Sequence, residues 1–374
     1  MNPKNQDMSA AAAFTTNQPP PPNNDPSQPP SSLTTLPNDL VLNILARVTR
    51  YHHPILSRVS KKFRSLVRSS ELRMTRSLQG NEDSFYVCLR DFNSPSLTYH
   101  LFTLHQNRLV LIHFPPPREQ HSTAIMIGHE IYLVGGHIHR TPCKSMSIID
   151  SRSGELRQGP SMRVARRHAA VGLVDEKIYV FGGGQHDEHN CNMQAEVFDT
   201  KKQTWDVAPN PEVDFKHISM SVVSRSLDRK IYAKNNTHVV VYDPRNGKCE
   251  KIDLPNGGLY CSKSMCEVEN VIYIYCYYFG LMWYDSKNLE WRAVKGLKLL
   301  GYCLCRTTMV EYNGKLAILR ELEHMGKTDI WCSMIALEWG WSALEIVGKI
   351  EWSHPILSVP PGYQIVHCLG RPYY

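Results

Sequence analysis

The chain of 374 residues has no apolar run long enough to cross a bilayer. The longest, Val271 to Tyr284, is fourteen residues and is broken up by several tyrosines. No secretory leader is expected: the first residues are polar and proline-rich, with only Ala10 to Phe14 forming an apolar patch. A cytoplasmic or nuclear protein without a membrane partner is therefore expected. The eleven cysteines include no Cys-x-x-Cys pair. Cys303 and Cys305 are the closest neighbours, and Cys88, Cys276 and Cys332 stand within strand-like runs, so buried reduced thiols are expected rather than a metal knuckle. No Gly-x-x-x-x-Gly-Lys, Gly-x-Ser-x-Gly or His-Glu-x-x-His motif occurs. His129-Glu130 begins the last of these, but Leu133 stands where its second histidine belongs. These absences leave no catalytic residue, resident metal or cofactor to assign.

Charge is unevenly spread. The formal net charge is +7, which would suit a nucleic-acid partner if it formed an extended basic surface. Instead, between Leu36 and Leu78 stand Arg47, Arg50, Arg58, Lys61, Lys62, Arg64, Arg68, Arg73 and Arg76 against only Asp39 and Glu71. One small segment accounts for the whole excess, so no nucleic-acid role is expected.

What is present falls into three parts. Residues 1–35 carry Pro19 to Pro22, Pro26, Pro29 and Pro30 among Asn, Gln and Ser, a composition that cannot bury enough apolar surface to order itself. A disordered tail is expected there. Residues 36–78 show helical periodicity. Asn38 or Asp39 is placed to cap a first helix carrying Leu40, Val41, Ile44, Leu45 and Val48 on one stripe. Pro54 is placed to open a second, which carries Ile55, Leu56, Val59, Phe63, Leu66 and Val67, and a third short helix spans Glu71 to Leu78. About forty residues in three helices make a poor solitary core, so this unit needs a neighbour or a partner.

The remainder, residues 84–370, is built on a repeat. Ile178-Tyr179-Val180-Phe181-Gly182-Gly183 is echoed by Ile131-Tyr132-Leu133-Val134-Gly135-Gly136, and more weakly at Ile231, Ile272 and Leu316. The five starts lie 47, 53, 41 and 44 residues apart, a period that fits four-stranded units. A second landmark keeps step: Asp150, Asp199, Asp243 and Asp285 each close a β-rich run, and six positions later stand Leu156, Trp205, Cys249 and Trp291. The glycines admit positive φ and close packing, while the large residue is expected to pack between neighbouring units. Such units are propeller blades.

In these residues the chain resembles the kelch family, whose blades carry a Gly-Gly pair and a downstream Trp. The best match runs from Arg166-Arg167-His168-Ala169-Ala170-Val171 through Gly182-Gly183 and Val197-Phe198-Asp199 to Trp205. Leu156 and Cys249 depart from the Trp, and the third to fifth units lack Gly-Gly. Phe85 to Leu89 and Leu97 to Leu104 read as strands before the first full repeat; Gly348 to Trp352 and Tyr363 to Leu369 read as strands after the last. Joining strands from both ends into a shared blade removes the open edges and gives six blades, with five or seven as alternatives.

The segment Leu36-Pro37-Asn38-Asp39-Leu40 to Val48, followed by Val59-Ser60-Lys61-Lys62-Phe63-Arg64-Ser65-Leu66, resembles an F-box. Phe63 stands where that family often has Trp, and Tyr51-His52-His53 departs from its usual aliphatic stretch. The combination is similar to the plant F-box/kelch-repeat proteins. The fold expected is thus a small all-α F-box of three helices followed by an all-β kelch propeller.

The resemblance implies a substrate-recognition subunit of an SCF-type ubiquitin ligase that performs no bond chemistry itself. Its F-box would bind a Skp-type adaptor, and through it a cullin-RING core, using Leu36, Pro37, Leu40, Val41, Ile44, Leu45, Val48, Val59, Phe63 and Leu66. The propeller would hold an unidentified target protein for degradation. The loops after the second strands of the first two units are the longest, and they carry His137, His139 and Arg140, then Gln185, His186, Asp187, His189 and Asn190. These eight residues are the candidates for target binding. Arg163, Arg166, Arg167 and His168, at a strand entrance, are read as packing groups. The alternative function is an interaction scaffold that no longer recruits a ligase; a copper-oxidase propeller is a distant third.

Overall fold

The computed structural model describes residues 36–48, 52–79, 85–94, 99–112, 114–115, 117, 119–183, 194–211, 223–258, 261–297, 306–340 and 344–370. The expected tail lies outside them, as do Arg50, Tyr51, Cys303 and Cys305. No helix among the described residues is long and apolar enough to cross a membrane.

The helical unit has four helices, not three: α1 (Asn38–Arg47), α2 (His53–Val59), α3 (Lys61–Arg68) and α4 (Ser70–Leu78). The second helix expected from periodicity is cut at Ser60, whose extended backbone (φ −158°, ψ 162°) interrupts it and whose hydroxyl accepts from the Phe63 amide. Apolar spacing runs on across this break, so periodicity alone does not show it. The cap of α1 also differs from expectation: Pro37 holds the N-cap position without a side-chain hydrogen bond, and Asp39 lies in the first turn, where its charge suits the helix dipole. Val41, Leu45, Ala46, Phe63, Leu66 and Leu72 form the core of the unit. Buried Arg76 completes it by donating to the Ala46 and Val48 carbonyls (3.0 and 2.7 Å), groups that the end of α1 leaves unpaired.

Six four-stranded antiparallel sheets follow. From the inner to the outer strand, the first blade is Thr123–Ile127, Glu130–Val134, Met146–Asp150 and Glu155–Gln158. The second is Ala170–Val174, Lys177–Phe181, Glu196–Asp199 and Thr204–Val207. The third is Val223–Leu227, Lys230–Lys234, His238–Tyr242 and Cys249–Asp253. The fourth is Cys261–Val268, Val271–Cys276, Gly280–Asp285 and Glu290–Ala293. The fifth is Thr307–Tyr312, Lys315–His324, Lys327–Trp339 and Ile346–Val359.

Each Ile or Leu that marks the repeat sits second in the second strand of its blade. The Asp landmark has one cause in four blades. Oδ1 of Asp150, Asp199, Asp243 and Asp285 accepts the backbone N–H two residues on, closing the turn between third and outer strands. That turn fixes the register, so Ile149 faces Leu156, Phe198 faces Trp205, Tyr242 faces Cys249 and Tyr284 faces Trp291. The two tryptophans reach the preceding segment of chain: Trp205 Nε1 donates to Pro160 O (2.8 Å) and Trp291 Nε1 to Asp253 O (3.0 Å).

The sixth blade is shared between the two ends of the chain. Tyr363–Leu369 is its inner strand, paired with Tyr86–Asp91, and Tyr99–His105 and Arg108–Ile112 complete it. The expected strand at Gly348 to Trp352 does not join this closure. It lies within the outer strand of the fifth blade, where Trp352 faces Met334. Sequence shows two strands past the last repeat but not that the fifth blade has strands of 10, 13 and 14 residues, long enough to absorb one of them.

Glycine is required where the chain leaves the second strand of the second blade and passes the segment entering its inner strand. At Gly183, φ is +67° and an added Cβ would stand 2.4 Å from the Arg167 carbonyl oxygen. At Gly182, φ is +68° but a Cβ would meet nothing within 4 Å. Gly183→Ala is therefore expected to destabilise the chain by roughly 2–4 kcal/mol, and Gly182→Ala by only about 1 kcal/mol. Thermal melting of the two variants side by side checks the difference; equal losses would contradict this account of the close approach at Gly183.

Candidate functional sites: a helical groove and a propeller face

In the helical unit the amphipathic pattern leaves apolar surface uncovered. Leu40, Ile44, Ile55 and Val59 are 48, 41, 48 and 63% exposed. Between α1 and α2 runs an apolar groove of about 190 Å³, lined by Val41, Ile44, Leu45, Val48, His52, Ile55, Leu56 and Phe63. The residues assigned to adaptor binding therefore divide. Val41, Leu45, Phe63 and Leu66 are buried, with the first two and Phe63 flooring the groove; Leu36 and Val48 are half-buried; Pro37, Leu40, Ile44 and Val59 are exposed. Ile55, on the rim, was not among the adaptor residues inferred from sequence, although it belongs to the apolar stripe of α2.

This unit is fastened to the propeller at the turn between Asp150 and Glu155. Ser57 Oγ donates to the Ser153 carbonyl (3.1 Å), Arg68 Nη2 donates to Ser153 Oγ (2.9 Å) and pairs with Glu155, and Arg152 Nη1 donates to the Arg68 carbonyl (2.8 Å). Ser57 and Ser153 are both buried. Strands alternate in direction, so this turn lies at one end of the first blade. The loops between second and third strands and the inter-blade connections lie at the other.

At that other end the first long loop folds into a hairpin, His137–Ile138 paired with Thr141–Pro142. His139 and Arg140, both at positive φ, form its exposed tip. The loop is pinned on two sides: His137 and Gln120 exchange backbone hydrogen bonds (2.7 and 3.0 Å), and Arg166 donates its amide to Cys143 O (3.0 Å). Gln185, His186, Asp187, His189 and Asn190 lie outside the described residues.

Arg166 acts as a latch. Its side chain and that of Glu196 are both fully buried; they pair at 3.1 Å, and Arg166 also donates to the carbonyls of Gly182 (2.8 Å) and Gln194. Glu196 in turn accepts the backbone N–H groups of Arg163 (2.6 Å) and Val164 (3.2 Å). The packing role expected of Arg166 holds, whereas Arg163 and Arg167 expose their side chains.

The residues this end brings together were only partly foreseen. The ring of His137 lies 5.0 Å from that of His121, which lies 4.9 Å from that of His168. Beneath them is Arg90, 4% exposed, which donates through Nη1 to His121 Nε2 (3.1 Å) and through Nη2 to Gln120 Oε1 (3.3 Å). Burial, then the charges of His168, Arg90, His137 and His367, pushes His121 down to about 4. His367, on the inner strand of the sixth blade, is pushed down to about 4 by burial and by His168. His137 is lowered by burial and by Arg167, Arg90 and Arg140. His121 and His168 were separable from the other histidines by their spacing, since they stand 47 residues apart, the same interval as Ile131 and Ile178. Arg90 carried no such mark. Among the described residues no group of three or more His, Cys, Asp or Glu side chains is arranged to hold a metal ion.

Comparison with known proteins agrees with this architecture. The family model for the F-box domain matches residues 33–75, and that described as FKB95, Kelch-repeats domain matches residues 85–357. Similar chains include three F-box/kelch-repeat proteins of Arabidopsis thaliana. One is 49% identical over 345 residues, covering 90% of this chain and 95% of its own length. A second is 41% identical over 367 residues, covering 91% and 93%, and a third is 40% identical over 360 residues with the same coverage.

Proposed function

The chain belongs to the F-box/kelch-repeat family, and from that premise we propose that it is the substrate-recognition subunit of an SCF-type ubiquitin ligase, working in the cytoplasm or nucleus. The observation that carries this reading is the groove between α1 and α2: Ile44 and Ile55 stand exposed over an apolar floor that no other described residue covers. A Skp-type adaptor seated there would bury each at a gain of up to about 1.5–3 kcal/mol, less the cost of association. The adaptor would bring the cullin-RING core. The propeller end around His137 would hold the target protein, and the chain itself would do no bond chemistry.

Its contribution would be concentration and orientation. The fastening of Arg68 and Ser57 to the turn at Asp150–Glu155 suits that task, because it ties the helical unit to one end of the first blade while the candidate target surface lies at the other. Strands of about five residues set those ends roughly 17 Å apart.

The test is ubiquitin transfer in a reconstituted adaptor–cullin–RING assembly, using as candidate targets proteins that the intact chain retains from plant extract. Transfer to a retained protein that requires this chain is the expected result. If no retained protein is modified although adaptor and target are both bound, a scaffold that does not direct transfer becomes the better description.

A further inference from the structure

Among the described residues, the propeller face presents a buried cation, Arg90, with no carboxylate paired to it. Arg90 lies at the end of its strand with Phe92 4.3 Å and Tyr99 5.8 Å from its guanidinium carbon, measured to ring centroids. Its polar contacts among the described residues are neutral groups, His121 Nε2, Gln120 Oε1 and the Tyr99 hydroxyl, and its Nε has no hydrogen-bond partner there. The contrast is Arg166 on the same end of the propeller, whose equally buried guanidinium is matched by Glu196. A buried guanidinium is costly unless an anion accompanies it.

Around Arg90 the repeat places two further groups in equivalent positions. His121 and His168 occupy the connections leading into the first and second blades, with φ of +55° and +53°. The left-handed conformation is uncommon for a residue other than glycine, and its recurrence in step with the repeat shows a built turn rather than an accident of one loop. Because Arg90 donates to Nε2 of His121, that ring is neutral and carries its proton on Nδ1, leaving a donor for a further group. The ring of half-buried His137 lies beside it at a tilt of 43°, and exposed Arg140 and Arg167 flank the cluster. The groups that act on His121 are His168, Arg90, His137 and His367; no carboxylate is among them.

We propose that Arg90, His121, His137 and His168 form a subsite for one anionic group of the target protein, either a phosphorylated side chain or a carboxylate. This rests on the receptor reading, since it specifies what that receptor would grip. The anion would supply the charge that Arg90 lacks and accept hydrogen bonds from the imidazoles. It would also favour the protonated forms of His137 and His168, while His121 stays neutral beneath the Arg90 N–H, so binding takes up protons and affinity rises as pH falls from 7.5 to 6. Free His121, held low by burial and by His168, Arg90, His137 and His367, starts neutral over that range.

The test uses the full chain with ¹³C-labelled histidine rings, titrated separately with inorganic phosphate and with succinate. Ring signals are assigned through His121→Asn and His168→Asn, because asparagine tolerates positive φ. Saturable shifts of the His121, His137 and His168 signals, stronger at pH 6 than at pH 7.5, are expected. A response to phosphate alone assigns a phosphorylated group, and a response to succinate assigns a carboxylate. Arg90→Gln should weaken the response at least tenfold, and the double variant His121→Asn/His168→Asn should do the same if Arg90→Gln does not fold. No ring shift with either anion up to about 50 mM, where even a weak millimolar site fills, would overturn the subsite, as would an undiminished response in folded Arg90→Gln. Adaptor capture is measured on the same preparation. Capture without an anion response removes the subsite and leaves the receptor; an anion response without capture removes the receptor reading instead.

Discussion

Replacing Ile44 and Ile55 together by aspartate should abolish capture of a Skp-type adaptor while leaving the chain folded. Both side chains are close to half exposed in the free protein, at 41 and 48%, so exchanging them removes little of the helical core. In a complex each would be covered, and losing two such contacts while burying two carboxylates should weaken binding at least about a hundredfold. Thermal stability should change by less than about 1 kcal/mol, the usual range for surface positions. Leu45→Asp gives a different outcome. Leu45 is 2% exposed and packs in the core with Val41 and Phe63, so that variant loses the helical unit itself and cannot separate binding from folding. Binding by the Ile44→Asp/Ile55→Asp chain within threefold of the parent would move the adaptor away from this groove.

Arg166→Met is expected to be the most damaging single exchange in the propeller. It leaves Glu196 buried and unpaired and strips the carbonyls of Gly182 and Gln194 of their donor. Breaking a buried pair from one side costs about 3–5 kcal/mol, equivalent to a fall in Tm of roughly 5–8 °C for a domain of this size. Tryptophan fluorescence reads this cleanly, because all seven tryptophans lie after residue 200, none of them in the helical unit. Adding Glu196→Leu should recover part of the loss by removing the lone charge, but not all, since Arg163 and Val164 then lose the acceptor of their backbone N–H groups. A Tm for Arg166→Met within 2 °C of the parent would refute the latch.

The architecture was legible because the features that build it are local and recur. Ile131, Ile178, Ile231, Ile272 and Leu316 mark the second strand of five blades, and an aspartate that closes a turn through its own backbone also fixes the pairing six residues later. The shared sixth blade followed from the need to leave no open edge. Where local pattern is silent the reading failed. Ser60 interrupts a helix without disturbing the apolar spacing from Val59 to Phe63. Gly348 to Trp352 look like a separate strand because nothing local reveals how far the outer strand of the fifth blade extends. The adaptor residues were read as one stripe, yet the fold sends Val41 and Leu45 inward and leaves Ile44 outside, a division made by the packing of α3 and α4 against α1. On the propeller face, His137 was singled out by its long loop. Arg90 was missed because its partners, Gln120 and His121, come from another blade.

The central claim is that one end of this molecule recruits a ligase through the groove between α1 and α2. The most direct measurement is the affinity of a purified Skp-type adaptor for the intact chain and for a chain beginning at Gly80, with tryptophan fluorescence confirming that the propeller stays folded. The account predicts saturable binding by the intact chain and none by the shortened one. Equal binding by both, or no binding by the folded intact chain across several adaptor isoforms, would contradict it.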